Sequence, residues 1–242
     1  MMPTVLKHHR EHTVTLTLNR PEKLNCINWE MMEELDRAVA FAEEIAALRF
    51  LVIRGAGDRA FSTGGDLKEW SALDAEETVH WIRMGQEIFD RIESLPALSM
   101  AVVDGYAYGG GLELALACDL RVATPSASFS SPEIQHGWPP GWGGLSRLGR
   151  LIGETSAKRL IFLGESISAE EAFRLGLVNW VVEQEEIDGF LEEAGQKLSR
   201  VDRDVLAFSK SAITERAHSI CQDSTALEAD VLATLRARES LS

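Results

Sequence analysis

The stretch Met100-Ala101-Val102-Val103-Asp104-Gly105-Tyr106-Ala107-Tyr108-Gly109-Gly110-Gly111-Leu112-Glu113-Leu114-Ala115-Leu116-Ala117-Cys118-Asp119 decides the fold. An apolar run of strand length gives way to glycines and then to an apolar segment of helical character, so a strand feeds a helix. The N–H groups of the entering glycines have no partner within the helix, and the positive end of its dipole lies beside them. One charged residue, Glu113, interrupts the apolar helix. A carboxylate among Leu112, Leu114, Ala115 and Leu116 falls on or near a buried face, where desolvation disfavours the charged form and raises its pKa. A second glutamate, Glu133, stands twenty positions later in Ser130-Ser131-Pro132-Glu133-Ile134-Gln135-His136-Gly137-Trp138-Pro139-Pro140-Gly141-Trp142-Gly143-Gly144. Two carboxyl groups beside glycine-rich turns suit acid–base chemistry, in which one group takes a proton and another gives one.

Outward from this stretch, strand and helix signals alternate. Residues 13–18, Thr-Val-Thr-Leu-Thr-Leu, alternate polar and apolar as a half-buried strand does. Asn28 is placed to cap a helix whose apolar positions are Met31, Met32, Leu35, Val39 and Ala42, and Phe50 to Ile53 reads as a buried strand ending at Gly55. A helix is predicted from about Ala75 to Ser94, with short strands near Leu120 to Ala123 and Ser128 to Ser130. This order predicts an α/β core. After Trp142 the pattern turns mostly helical: Ser168 opens one helix, Gly176 ends it, an extended piece follows at Val178 to Val182, and a helical stretch is expected at Thr225 to Glu239. We divide the chain into a core at residues 1–184 and a C-terminal helical region at 185–242, one domain in the broad sense, since no linker or repeat separates them.

Composition excludes several classes of function. With 242 residues and 45% hydrophobic content the chain can fold around its own core. Its cysteines, Cys26, Cys118 and Cys221, are odd in number and lack metal or disulfide spacing, which favours a reducing, cytoplasmic setting and packing roles. No segment reads as a secretion signal or a membrane span. A net charge of −14 repels nucleic acid and anionic lipid on average. The histidines are scattered without metal-ligand spacing, and His136 stands out only for its nearness to Glu133.

A second glycine-rich site, Ala60-Phe61-Ser62-Thr63-Gly64-Gly65-Asp66-Leu67, follows a strand and precedes a helical turn. Two N–H groups converging on one oxygen would form an oxyanion hole, where loss of one donor costs roughly 10²–10³ in rate. Plainer readings stand beside these. Glu113 could only complement a helix dipole, and Ser130 to Glu133 has capping-box spacing, so Glu133 could only close a helix start. The glycine triplet is no dinucleotide fingerprint, because Leu114 falls where the third glycine belongs. Without a GxSxG elbow, Ser62, Ser130 and Ser131 read as structural or as polar lining.

These segments resemble the enoyl-CoA hydratase/isomerase family of the crotonase superfamily over nearly the whole chain. The blocks that carry the resemblance are Asn19 to Asn25, Phe61 to Leu67, Asp104 to Asp119, Pro132-Glu133 with Pro140 to Gly144, and Glu171-Ala172 with Gly176 to Val178. The resemblance implies a spiral of ββα units with a C-terminal helical region for trimerisation and pocket cover. It also implies a homotrimer or dimer of trimers, and an acyl thioester of coenzyme A as substrate, with no cofactor besides. By position, the N–H groups of Gly65 and Gly110 would hold the thioester oxygen, and Glu113 and Glu133 match the catalytic pair of the hydratase branch. Gly141 matches the position that helps hold the water. Substrate binding is carried over to Lys23, Leu24, Arg59, Thr63, Gly65, Asp66, Leu67, Lys68, Gly110 and Gly141, with Arg59 and Lys68 as candidates for phosphate contacts although both also read as plain surface charges.

Hydration of trans-2-enoyl-CoA to 3-hydroxyacyl-CoA is the first reading. Double-bond isomerisation is the runner-up, decarboxylase or thioester hydrolase chemistry ranks lower, and a non-catalytic acyl-CoA binder is the alternative outside catalysis. An RNA-binding relative is disfavoured by the charge. Trp138, Pro139 and Trp142 bring bulk to the loop after Glu133, which narrows the acyl pocket and argues against long straight chains.

Overall fold

The computed structural model describes residues 2–218, so the helical stretch expected at 225–239 lies outside the described residues. Strands β1 (Val5–Arg10) and β2 (Thr13–Leu18) form an antiparallel hairpin at the edge of a six-stranded sheet. Helix α1 (Trp29–Glu43) follows, with the Asn28 side chain accepting the Met31 N–H and the five predicted apolar positions buried. The next elements repeat a theme. β3 (Phe50–Gly55) leads to β4 (Ala60–Ser62) and then to helices α2 (Leu67–Trp70) and α3 (Ala75–Ser94). β5 (Leu98–Val103) leads to β6 (Tyr106–Tyr108) and α4 (Gly110–Ala117), and β7 (Leu120–Ala123) leads to β8 (Ser128–Ser130) and, after a short 3-10 turn, α5 (Gly144–Ile152).

Each unit therefore gives its first strand to one sheet and its second to another before a helix returns. The first sheet runs β1-β2-β3-β5-β7 and ends on β10 (Trp180–Val181). The second runs β4-β6-β8 and ends on β9 (Ser166–Ser168), which arrives antiparallel after helix α6 (Glu154–Leu163). This is the ββα spiral expected. Gly105 makes one of the corners: its φ is +71°, and a Cβ there would overlap the backbone of Arg59 in the preceding corner.

The parallel strands are buried on both faces, which is why they read as continuous apolar runs. Period-two alternation sends Leu51, Ile53, Ala101 and Val103 into the main core, and Phe50, Val52, Met100 and Val102 to the opposite face. That second face is covered by Phe190 and Leu191 of α8 (Ile187–Ser199), while α7 (Ala169–Arg174) opens on the Ser168 cap as predicted. The last described helix, α9 (Arg203–His218), is tied down by Lys210, whose Nζ donates to the Ala97 carbonyl at 3.0 Å and pairs with Asp119 at 2.7 Å.

Helix α4 is held at its C-terminal end by a fully buried guanidinium. Arg121 donates through Nε to the Leu177 carbonyl at 2.6 Å and through Nη1 to the carbonyls of Cys118 at 2.7 Å and Ala115 at 3.3 Å. A cation there satisfies orphan carbonyls and complements the dipole. Arg121→Met should strand these acceptors and lower stability by about 3 kcal/mol, each unsatisfied buried group costing about 1–3 kcal/mol. Urea denaturation checks this, and an unmoved midpoint would refute it.

Candidate active site

The start of α4 meets the β4–α2 turn at close range. Gly64 has φ +81°, and a Cβ there would lie 2.5 Å from the Gly110 nitrogen, so only glycine lets the two loops touch. Gly110 is the first residue of α4, and its N–H has no acceptor within the helix. Gly65 forms a parallel bridge with Ile27, whose bonds run from Ile27 N–H to the Gly64 carbonyl and from Asp66 N–H to the Ile27 carbonyl. In that pattern the N–H of Gly65 itself points away from Ile27. Ser62 braces the turn, donating to the Asn25 carbonyl and accepting the Gly64 N–H, which is the structural role expected of it.

Glu113 is buried as predicted, but it is not bare. Its Oε1 accepts the N–H groups of Trp142 at 2.7 Å and Gly144 at 2.8 Å. The loop that supplies those donors is itself pinned. Gln86 of α3 donates to the Gly141 carbonyl at 2.9 Å, and the buried Arg147 of α5 donates to the Trp142 carbonyl at 2.8 Å while pairing with Glu93 and Asp90. The Gly141–Trp142 peptide thus accepts from Gln86 on one side and donates to Glu113 on the other, an arrangement in which each bond polarises the next.

Glu133 sits at the head of the 3-10 turn Glu133–His136. The capping-box alternative fails: Pro132 occupies the cap position, Ser130 lies in β8, and it is Ser131 whose hydroxyl donates to Glu133 Oε2 at 2.8 Å. Glu133 Oε1 is buried without a hydrogen-bond partner. Burial, the largest influence, pushes the carboxyl above its ordinary range, against hydrogen bonds from its own backbone N–H and from Ser131. Gly109, with φ +52°, lets that oxygen approach the glycine turn, since a Cβ there would stand 3.4 Å from Oε1.

One cavity of about 120 Å³ collects these groups. A single water needs about 10–15 Å³ of such space, so there is room for several waters or a short chain. Of the residues singled out from sequence, Thr63, Gly65, Leu67, Gly110, Glu113, Glu133 and Gly141 line it, and His136 joins them, stacked on Trp138 with ring centroids 5.6 Å apart. Lys23, Leu24, Arg59, Asp66 and Lys68 do not line it. Lys23, Arg59 and Lys68 are exposed, Leu24 supports the site by accepting the Thr63 N–H at 3.2 Å, and Asp66 caps α2 and pairs with Arg20 at 3.3 Å. Among the described residues no group of three or more His, Cys, Asp or Glu side chains could hold a metal ion.

The sequence reading passed over Trp70, Trp81 and Ile82 in the cavity wall, and Gln86 and Arg147 behind it. A signal existed for the wall. Gly85 interrupts an otherwise good amphipathic helix between Trp81 and Phe89, and a glycine in mid-helix usually has a packing reason. That reason is Trp142, whose indole would collide with a Cβ at position 85.

Comparison with known proteins gives the chain a family. The model of the enoyl-CoA hydratase/isomerase family matches residues 9–242. A crotonyl-CoA hydratase of Syntrophomonas wolfei subsp. wolfei is 35% identical over 226 residues, 93% of this chain and 87% of the relative. A short-chain-enoyl-CoA hydratase of Clostridium acetobutylicum is 37% identical over 198 residues, 82% of this chain and 76% of the relative. The crystal structure of an enoyl-CoA hydratase from Bacillus anthracis superposes with a TM-score of 0.85 at 34% identity, covering 96% of this chain and 90% of the other.

The raised pKa of Glu133 has a measurable sign. The native protein keeps a proton that the unfolded chain releases near the ordinary value of 4.5, so the stability this group contributes is present below that pH and lost as pH rises through the folded pKa. Glu133→Gln removes the dependence. Relative to the parent protein it should be more stable at about pH 7.5 than at about pH 4. Thermal melts at the two pH values check this, and a difference that does not change with pH would refute it.

Proposed function

The chain belongs to the enoyl-CoA hydratase/isomerase family, and on that premise we propose that it adds water across the α,β double bond of trans-2-enoyl-CoA thioesters, giving 3-hydroxyacyl-CoA. The observation that carries this reading is the contrast between two buried glutamates on one cavity. Glu133, pushed toward its protonated form by burial, is suited to give a proton. Glu113, oriented by two backbone N–H donors on Oε1, is suited to take one.

In this mechanism Glu113 draws a proton from water as the water oxygen bonds to the β carbon, and Glu133 delivers a proton to the α carbon. Negative charge gathers meanwhile on the thioester oxygen. Backbone N–H groups of Gly65 and Gly110 would receive that oxygen, and their close approach across Gly64 supports the pairing. Gly141 lines the same cavity and is the candidate for holding the water. The chemistry is a proton transfer and an addition, so it calls for no cofactor beyond the coenzyme A that the substrate brings.

The substrate's carrier is assigned to the Lys23–Leu24 turn and the Arg59 to Lys68 segment, with Arg59 and Lys68 exposed and so accessible to phosphate. A trimer or dimer of trimers is the assembly proposed. Its support is the apolar surface of α9, where Val205, Phe208 and Ile213 are exposed in the single chain.

Loss of enoyl-thioester absorbance on mixing with crotonyl-CoA tests the activity. Wild-type protein should turn it over, and Glu113→Gln and Glu133→Gln should each lose about 10²–10⁴ in kcat. Full activity in either variant would remove that glutamate from the chemistry. Loss confined to one of them would favour an isomerase, which needs chiefly a single base.

A further inference from the structure

We infer that the Trp142 indole is the end wall of the acyl pocket and restricts this enzyme to short acyl groups, a deepening that rests on the enoyl-CoA reading of the site. Trp142 is only 3% exposed, and its ring spans the distance between α3 and the glycines of the proposed oxyanion hole. Its benzo edge lies on Gly110, where a Cβ would stand only 2.2 Å from Cζ3, and its Cη2 is 3.8 Å from the Cβ position of Gly65. Its pyrrole edge fills the notch at Gly85. Trp81 and Phe89 close around it, with centroids 5.7 Å and 5.5 Å from its own.

A thioester oxygen held by Gly65 and Gly110 places the first acyl carbons against the benzo edge. The volume beyond, toward Gly85, is already taken by the pyrrole half of the ring. The wall is held by shape: the indole N–H is buried without a hydrogen-bond partner, an arrangement that costs free energy and so is not what keeps the ring in place. Trp142 contributes to the rest of the site through its main chain, by the N–H given to Glu113 and the carbonyl that accepts from Arg147, and any residue except proline at 142 retains both groups. Shortening the side chain therefore opens an apolar extension lined by Trp81 and Phe89 without removing a side-chain hydrogen bond.

Saturated acyl thioesters read this fit independently of turnover. Calorimetric dissociation constants would be measured for butanoyl-CoA and decanoyl-CoA with the wild-type protein, Trp142→Phe and Trp142→Ala. Wild type should bind decanoyl-CoA at least about tenfold more weakly than butanoyl-CoA. Trp142→Phe should narrow the ratio, and Trp142→Ala should abolish or reverse it. If the alanine variant does not fold, the phenylalanine variant, which keeps an aromatic ring against Trp81 and Phe89, carries the test. Equal binding of both thioesters by wild type, or a ratio unchanged by the substitutions, overturns the inference and leaves the hydratase reading standing. Failure of wild type to bind either thioester overturns that reading, and this inference with it.

Discussion

Glu113 Oε1 accepting two main-chain N–H groups, from Trp142 and Gly144, ties helix α4 to the loop that begins α5, and the site depends on that tie. It fixes a carboxyl group inside the protein at the point where the apolar helix would otherwise exclude one. It also fixes the loop, because a peptide that gives its N–H to a buried carboxyl cannot turn away without leaving that carboxyl unsatisfied. Behind the loop, Gln86 and Arg147 grip the neighbouring carbonyls, and Glu93 and Asp90 balance the charge of Arg147. A chain of polar contacts thus runs from α3 through α5 to α4, and breaking any member exposes the rest to the same desolvation cost.

The two glutamates are alike in burial and differ in what satisfies them. Glu113 is met by two backbone donors on Oε1, whereas Oε1 of Glu133 is buried without a hydrogen-bond partner and Oε2 accepts the Ser131 hydroxyl. A bare buried oxygen is costly to folding, and its cost appears as the upward shift of the Glu133 carboxyl. Such an unsatisfied group is common where a carboxyl must change protonation during a reaction, since one satisfied as a carboxylate would hold no proton to give near neutral pH.

Much of the fold was legible in the chain. The alternation of residues 13–18, the spacing from Met31 to Ala42 and the Asn28 and Ser168 caps each predict an element that the structure contains, because each signal is local. The short strands β4, β6 and β9 were not foreseen as strands: each has three residues, too few to show a period, and pairing within the β4-β6-β8-β9 sheet decides their conformation. The same limit applies to Glu133, whose spacing from Ser130 suggests a cap. The hydroxyl that reaches it belongs to Ser131, because Ser130 is taken up by β8 and donates to the Gly164 carbonyl.

By itself the sequence determined an α/β alternation, the glycine turns, and two carboxyl groups in apolar company, since hydrophobic period, turn chemistry and residue type are properties of neighbours along the chain, whereas the ββα order came only with the family resemblance. Only the tertiary structure decided that Gly64 packs against Gly110, that Gly85 makes room for Trp142, and that Gln86 braces the peptide that holds Glu113. These contacts, Gly64 with Gly110, Gly85 with Trp142 and Gln86 with Gly141, join positions 46, 57 and 55 apart in the sequence, and they are chosen by volume and hydrogen-bond geometry.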